Sequence, residues 1–433
     1  MQQSGNSGRR PAPVRALLIA LAMLMPASVT GTEIKVEGDN KGAIITGDNN
    51  RTTITHGLPP AEVQRIVDTL IRKHQAARKV DQQTIRALQD AVSALSRRAA
   101  GPDAGPAIKD ALEKLRTGDR TGAEAVFARV LVEKQAAGDK ARQEAATAAR
   151  HLGALAFPDD TETALQHYRT ATRLDPENPA GWAALGSLLS RTGAMADAVR
   201  AYKQALTTGR DQGDFGWIAI VANDLGLILQ RQGRLPEAIQ MFQRALTVNR
   251  SLNRQAGIAS NLANLGIVHH MQRDFDRAEQ MFLAALTRFT ALRQVDQMAI
   301  QFGNLGAVYQ LQKDLAKAEE FYQRALDAHQ KLGRKGRVAE QLSNLGTLHH
   351  LRGDLAKAEE FYRRALALDT ALGHTHGIAT SHANLGVTAH AREDVATACR
   401  HWQTARTLFR KIRARPDIRQ VNGWIADNAC PAK

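Results

Sequence analysis

The 433-residue sequence predicts an all-α protein, a solenoid of antiparallel helix pairs that follows a short N-terminal β-segment and a helical stalk. A stretch at residues 344–373 recurs at a fixed interval, and its apolar residues keep the spacing of three and four that marks one helix face. The glycine of its Leu-Gly pair returns every 40 residues, at Gly186, Gly226, Gly266, Gly306, Gly346 and Gly386. Because one helix pair cannot bury its apolar face alone, neighbouring pairs must stack.

The second helix of each unit carries a pattern of small and aromatic residues. An alanine is followed four positions later by a ring, and another alanine comes three positions after the ring, from Ala198 and Ala205 to Ala398 and Ala405. The rings are Tyr202, Phe242, Phe282, Tyr322, Tyr362 and Trp402. Small residues let two helix backbones approach closely while the ring fills the groove beside them. The pattern therefore predicts tight helix hairpins.

The turn inside each unit is also predictable. Glycine follows the first helix at Gly193, Gly233 and Gly353, whereas other units carry Arg273, Lys313 and Glu393 there. In four units the next residue is an aspartate whose carboxylate is placed to cap the second helix: Asp274, Asp314, Asp354 and Asp394.

On these residues the sequence resembles the tetratricopeptide repeat (TPR) family, in the long-repeat form of kinesin light chains and many bacterial proteins. The resemblance implies a right-handed TPR superhelix with a 40-residue period over residues 175–410. It extends to degenerate units at 106–174, marked by Ala123, Phe127 and Tyr168, so that about eight helix pairs are expected. It also implies that the protein binds other proteins or peptides.

Residues 1–31 are interpreted as a secretory signal, because arginines precede a short apolar run and small residues follow it. The run from Ala16 to Met25 is too short to span a bilayer. We therefore expect export to a bacterial periplasm or to the exterior, with no stable membrane span after cleavage. The alternatives are an uncleaved membrane anchor and a misassigned start codon.

Residues 32–57 change character, because β-branched residues cluster around two Gly-Asp-Asn turns that begin at Gly38 and Gly47. Short strands joined by tight turns are expected. The segment is either a spacer with a local hairpin or a device that assembles chains by stacking strands, for which residues 43–46 are the low-charge stretch.

Residues 58–100 are predicted to be a helical or coiled-coil segment, separated from the repeats by the Gly- and Pro-rich linker 101–106. Apolar residues follow a heptad seam at Val63, Val67, Leu70, Ile85, Leu88, Val92 and Leu95. The seam serves either an oligomerising stalk, which would make residues 32–99 the basis of a homo-oligomer, or a helical pair packed on the first repeats.

Residues 411–433 are expected to cap the solenoid with a basic helix that reaches Trp424. The repeat pattern first departs at Arg406, where earlier units have leucine. The two cysteines, Cys399 and Cys430, lie in this region and are candidates for one disulfide in an oxidising compartment, if their geometry permits it.

The net charge of +15 favours acidic partners. Most cations are interleaved with acids, and no basic stripe alternates with aromatic residues, so direct nucleic-acid binding is not expected. Phosphate-binding glycine loops, zinc-binding spacings and nucleophile motifs are absent from the sequence. The histidine pairs His269-His270 and His349-His350 lack a completing carboxylate or thiolate, so neither an enzyme nor a cofactor or metal is predicted. The first histidine of each pair is expected to be buried against the second helix.

The candidate binding surface is the face of the first helices that turns away from the hairpin partner. One row, two residues before each Leu-Gly glycine, contains Asp224, Asn264, Asn304, Asn344 and Asn384. A second row, four residues after it, contains Gln230, His270, Gln310, His350 and His390. Asparagine pairs with both polar groups of an extended peptide backbone. The TPR resemblance implies that role for the four asparagines.

These features lead to the hypothesis of an exported, non-enzymatic scaffold that holds a peptide or partner segment in a concave groove. The histidines of the second row suggest that binding changes between pH 5 and 7. The alternative function is a self-assembling signalling or conflict-system adaptor, in which residues 32–57 join the chains.

Overall fold

The computed structural model describes residues 43–46, 53–56, 58–72, single positions between 88 and 99, and then 106–134, 138–157, 160–213 and 215–431. The signal segment 1–31 and Ile85 of the seam lie outside the described residues. The predictions made for them stay predictions.

Two short strands pair in the N-terminal segment. Strand β1 (Ala43–Thr46) and strand β2 (Thr53–His56) are antiparallel, with Ala43 opposite His56 and Thr46 opposite Thr53. The rest of residues 32–57 lies outside the described part of the chain. The choice between a local hairpin and chain assembly therefore stays open.

Eighteen helices account for most of the described residues. The first ten are α1 (Pro60–Arg72), α2 (Pro106–Arg116), α3 (Arg120–Lys134), α4 (Asp139–Ala156), α5 (Thr161–Leu174), α6 (Pro179–Arg191), α7 (Met195–Asp211), α8 (Phe215–Arg231), α9 (Leu235–Ser251) and α10 (Gln255–Met271). The others are α11 (Phe275–Ala291), α12 (Val295–Leu311), α13 (Leu315–Lys331), α14 (Lys335–Leu351), α15 (Leu355–Leu372), α16 (Thr375–Ala391), α17 (Val395–Lys411) and α18 (Arg415–Asp427).

The described chain divides into two compact units, between Gln272 and Arg273. In the N-terminal unit the hairpins α2–α3, α4–α5, α6–α7 and α8–α9 stack in sequence order, and α10 follows them. In the C-terminal unit α11 is followed by the hairpins α12–α13, α14–α15 and α16–α17 and by α18. Each unit is thus a stack of antiparallel helix pairs, which confirms the predicted all-α solenoid fold.

In the regular repeats a glycine of the first helix contacts the ring of the second helix. A methyl group added at Gly346 would lie 2.7 Å from Cε1 of Tyr362, so only glycine fits. The Tyr362 ring is 0% exposed, as are Ala358 and Ala365 beside it on the same helix. The same contact recurs at Gly186–Tyr202, Gly226–Phe242, Gly306–Tyr322 and Gly386–Trp402.

The predicted caps form. The carboxylate Oδ1 of Asp354 accepts a hydrogen bond from the backbone N–H of Lys357 at 3.2 Å, and Asp314 and Asp394 accept from Lys317 at 3.1 Å and Thr397 at 2.9 Å. Asp274 accepts from Arg277 at 3.3 Å. The residue before each of these aspartates is left-handed, whether it is glycine, as at Gly353, or one of Arg273, Lys313 and Glu393.

The seam of residues 58–100 packs on the first repeats. Val63, Val67, Leu70, Leu88, Val92 and Leu95 are buried in one cluster with Leu115 of α2, Phe127 of α3 and Leu152 of α4. The backbone N–H of Leu58 also donates to Ser96 Oγ. Of the two arrangements open to the sequence, the described residues of the segment show packing on the first repeats, where their apolar side chains are buried.

The C-terminal unit ends in a cap. Helix α18 buries Val421 and Trp424 against Trp402 and Phe409 of α17, and the two tryptophan rings lie 5.8 Å apart between centroids. Cys399 and Cys430 form a disulfide with their Cα atoms 5.5 Å apart, which answers the question left open by the sequence. Across the described residues, no helix combines the length and the apolar character that crossing a bilayer requires.

Candidate functional site

The asparagine row lies on the first helices, but it is buried. Asn304, Asn344 and Asn384 of the C-terminal unit are 6%, 8% and 1% exposed, and Asn264 of the N-terminal unit is 0% exposed. Asp224 alone is partly exposed. These asparagine side chains therefore do not line an open groove, in contrast to the expectation from the sequence.

The reason is a further set of amide side chains three residues earlier, for which the sequence predicted no role. Asn304 Nδ2 donates to Gln301 Oε1, and Asn344 Nδ2 donates to Gln341 Oε1, both at 3.4 Å. Gln341 also reaches the preceding first helix, because a methyl group added at Gly303 of α12 would lie 3.2 Å from its Nε2. These amides fill the contact between adjacent first helices. Their 40-residue spacing is the signal by which the sequence could have revealed them.

In the N-terminal unit four asparagines form a buried network. Asn249 Nδ2 donates to Asn261 Oδ1 at 2.8 Å, and Asn261 Nδ2 donates to Asn223 Oδ1 at 3.0 Å. Asn264 Nδ2 donates to the same oxygen of Asn223 at 2.9 Å. The network joins α8, α9 and α10, so Asn264 already takes part in the packing of three helices.

Helix α16 of the C-terminal unit leaves two polar atoms unsatisfied. Ser381 Oγ and Asn384 Oδ1 are buried and have no hydrogen-bond partner in the described part of the chain. The two residues are three apart on one helix and therefore share a face. They occupy the register of Gln341 and Asn344 in the preceding unit. A buried acceptor without a donor costs about 1–3 kcal/mol, so a donor supplied from outside would be favourable there.

The second row is partly buried and makes internal contacts. Gln310 Oε1 accepts from Tyr322 Oη at 3.0 Å, and His350 Nδ1 lies 3.3 Å from Thr388 Oγ1. The rings of His390 and Trp402 are 5.8 Å apart between centroids. Gln230 of the N-terminal unit is 7% exposed, and its Nε2 lies 3.6 Å from Met271 Sδ.

The titration of this row differs from the sequence expectation. Burial lowers the pKa of His270 to about 4, so its ring stays neutral between pH 5 and 7. Burial also lowers the pKa of His350. A change of binding between pH 5 and 7 therefore does not follow from His270.

One histidine pair behaves as predicted and the other differs. His349 is 6% exposed and stacks on Phe361 of the second helix, with ring centroids 5.3 Å apart, while His350 points elsewhere. His269 is only partly buried. Within the described residues, no three side chains among His, Cys, Asp and Glu converge as metal ligands would.

Glutamates of the second helices form hydrogen bonds and ion pairs with the following repeat, which the sequence did not predict. In the C-terminal unit Glu279 accepts from Tyr309 Oη at 2.7 Å, and Glu319 and Glu359 pair with Arg352 and Arg392 of the following turns. An open cleft of about 480 Å³ adjoins Glu359 and is lined by Ala356, Glu359, Glu360, Arg363, Arg364, Ala367 and Arg392. Arg363 and Arg364 pair with Glu359 at 2.5 Å and Glu360 at 3.5 Å, so the charges of the cleft largely neutralise one another.

The stacked hairpins define the class of the protein, an α-helical repeat scaffold. Two family models, both described as tetratricopeptide repeat, match the sequence, one at residues 217–291 and 296–371 and the other at residues 159–214. The chain is a tetratricopeptide repeat protein. Its kinesin-light-chain-like subtype stays a prediction.

Solved structures of other proteins share this fold. The apo form of the quorum sensor NprR from B. thuringiensis is similar with a TM-score of 0.55 at 12% identity, over 81% of this chain and 98% of that one. The apo form of RapI is similar with a TM-score of 0.51 at 14% identity, over 60% of this chain and 96% of that one. At these identities the likeness shows the fold alone. Comparison with functionally curated proteins gives no match.

Proposed function

We propose that the chain is a non-enzymatic scaffold that binds an extended peptide, or such a segment of a partner protein, along the first helices of its C-terminal unit. The observation that carries the proposal is the pair of unsatisfied buried atoms on α16, Ser381 Oγ and Asn384 Oδ1. A peptide backbone N–H is the donor that an amide oxygen at such a place lacks.

The preceding units offer the same chemistry in a closed form. The bonds from Asn304 to Gln301 and from Asn344 to Gln341 are long, at 3.4 Å, and therefore weak. A peptide that offers a backbone N–H and C=O exchanges these bonds for better ones while the glutamine side chains turn aside. Main-chain pairing of this kind supplies affinity, and neighbouring pockets supply specificity.

Export is part of the proposal. The disulfide between Cys399 and Cys430 is supported by an oxidising compartment, and the basic, apolar and small-residue order of residues 1–31 agrees with it. NprR of B. thuringiensis, which shares the fold, is a quorum sensor. An extracellular peptide signal is one ligand class that suits an exported scaffold of this fold.

Affinity capture from native cell extract tests the function. The native protein is compared with a variant that carries Asn304→Ala, Asn344→Ala and Asn384→Ala. The matched control replaces three exposed polar residues of the second helices by alanine: Gln323, Arg363 and Thr407. We expect a protein or peptide that the native chain and the control retain and that the asparagine variant loses. Equal retention by all three proteins would show that the row is structural.

The single substitution Asn384→Ala distinguishes a role of this residue in binding from a role in packing. Its amide oxygen has no hydrogen bond to lose, so Asn384→Ala is expected to cost less than about 1 kcal/mol of unfolding free energy. Affinity for the captured partner should fall about 2- to 10-fold, since one hydrogen bond between uncharged groups contributes about 0.5–1.5 kcal/mol. Urea unfolding and titration calorimetry measure the two effects. A large loss of stability with unchanged affinity would contradict the proposal.

A further inference from the structure

A cluster of exposed cations surrounds the turn between α17 and α18. This cluster, the basic tip, consists of Arg410, Lys411, Arg413, Arg415 and Arg419, all of them exposed. The acid among residues 410–419 is Asp417, which is 16% exposed and lies 3.7 Å from Nε2 of His376. In the described part of the chain no carboxylate forms an ion pair with any residue of the basic tip. Its positive charge is therefore not neutralised locally.

The cluster is not a property of the repeat. The same five register positions hold one cation in the unit at 250–259, one at 290–299, two at 330–339 and none at 370–379. In the last unit all five are cationic. The stretch 330–339 holds four cations and no acid around the exposed Leu332, but Arg334 pairs with Asp296 and Arg337 pairs with Glu340. The basic tip differs because none of its five cations is paired in the described part of the chain.

An apolar side chain lies within the cluster. Ile412 is 37% exposed and sits between Lys411 and Arg413 in the chain. Cations around an exposed apolar residue suit the boundary of a bilayer, where phosphates lie above the acyl chains. An acidic polypeptide offers carboxylates to the cations but no comparable apolar layer for Ile412. The chemistry of the tip thus favours a lipid surface over an acidic protein segment.

The tip is held rigidly by its surroundings. Trp424 of α18 packs on Trp402 of α17, and the Cys399–Cys430 disulfide ties the end of the cap to the start of α17. Because the turn is fixed at both sides, its side chains lose little backbone freedom when they meet a surface.

We propose that the basic tip docks the C-terminal end of the repeats onto the anionic phosphate surface of a lipid bilayer. This is a binding activity separate from the peptide site on the first helices. Each cation close to an anionic membrane surface raises partitioning about fivefold, so five cations together raise it on the order of 10³-fold.

Vesicle co-sedimentation of the full chain tests the proposal. The vesicles are phosphatidylcholine alone, or phosphatidylcholine with phosphatidylglycerol, at low salt. The tip variant carries Arg410→Gln, Lys411→Gln, Arg413→Gly, Arg415→Gln and Arg419→Gln. Glycine is used at residue 413 because its φ is +56°, a conformation that glycine adopts without strain. The matched control removes five exposed arginines elsewhere, with glutamine at Arg210, Arg250, Arg254, Arg273 and Arg293.

We expect the native protein and the control to bind the anionic vesicles and not the neutral ones. The tip variant should bind at least about 10²-fold more weakly while its circular dichroism spectrum and melting temperature stay close to native. High salt should release the native protein, and millimolar soluble phosphoglycerol should not. Equal weakening in both variants, equal binding to neutral vesicles, or binding to polyglutamate without binding to anionic vesicles would each overturn the proposal.

Discussion

Gly346 shows how a single residue fixes the geometry of a hairpin. Its Cα faces the buried Tyr362 ring, and the hydroxyl of that ring lies 3.0 Å from Thr347 Oγ1. The ring therefore cannot turn aside without losing a buried hydrogen bond. The contact makes glycine necessary for packing, although a glycine within a helix is intrinsically unfavourable.

We predict that Gly346→Ala lowers the unfolding free energy by about 2–3 kcal/mol, because the added methyl group overpacks the hairpin. Urea unfolding followed by circular dichroism measures the change. The control is Gly423→Ala on α18, where an added methyl group meets nothing within 4 Å. That substitution should be neutral or stabilising by up to about 1 kcal/mol, since alanine is the better helix former. Similar losses in both variants would contradict the packing argument.

At Lys313 a substitution is predicted to raise stability rather than lower it. Its backbone is left-handed, with φ of 66°, a conformation that costs a residue with a side chain about 1 kcal/mol relative to glycine. Lys313→Gly should therefore raise the unfolding free energy by up to about 1 kcal/mol. Gly353, with φ of 81° at the same position of the next unit, supplies the reverse test, since Gly353→Ala should lower it. Thermal melts of both variants measure whether stability rises in Lys313→Gly and falls in Gly353→Ala.

At the level of a single helix, α18 contacts the stack of helix pairs on one side only. It packs on α17, no helix follows it in the described chain, and its buried residues are Val421 and Trp424. The cluster around Trp402, Phe409, Val421 and Trp424 holds it, and the disulfide closes a loop with a sequence separation of 31.

We predict that Cys399→Ser with Cys430→Ser, or reduction of the native protein, weakens the docking of α18 by about 3–4 kcal/mol, the chain-entropy value for a loop of that length. Trypsin should then cleave rapidly at Arg419 within α18 while the inner repeats stay protected. Native protein under oxidising conditions is the control. Unchanged proteolysis after reduction would show that the tryptophan packing alone holds the helix.

At the scale of the whole molecule, buried histidines make stability depend on pH. Burial lowers the pKa of His329 to about 4, with a further lowering from nearby Arg337, while Asp296 opposes it. The unfolded chain titrates near 6.5. As the pH falls from above 6.5 toward 4, the unfolded state binds a proton that the native state does not, so stability falls in that window. His270 acts in the same direction.

We predict that the native protein loses stability between pH 7.5 and pH 5 and that His329→Phe removes about 1–2 kcal/mol of that loss. Phenylalanine is suitable because Phe289 and Phe409 hold the same register position in other units and are buried there. Unfolding free energies at both pH values give the comparison. An identical pH dependence in the variant would assign the effect to other groups.

Local features of the repeat were predictable because they depend on short-range geometry. The caps at Asp314, Asp354 and Asp394 follow from the helix ends, and the contact of Gly346 with Tyr362 follows from helical spacing within one hairpin. The burial of Asn344 was not predictable in this way, since it depends on Gln341 reaching the neighbouring repeat. The pKa of His270 was missed for the same reason, because burial is a property of packing rather than of sequence spacing.

The helix pairs, the turns and the repeat family follow from the sequence alone, because a 40-residue period and its small and aromatic residues leave one way to close each hairpin. Packing sets where the described part of the seam lies, whether Cys399 and Cys430 meet, and how far the asparagine row is exposed. Those outcomes depend on contacts between segments far apart in the chain, and the distance between such segments is set by stacking, which no local pattern encodes.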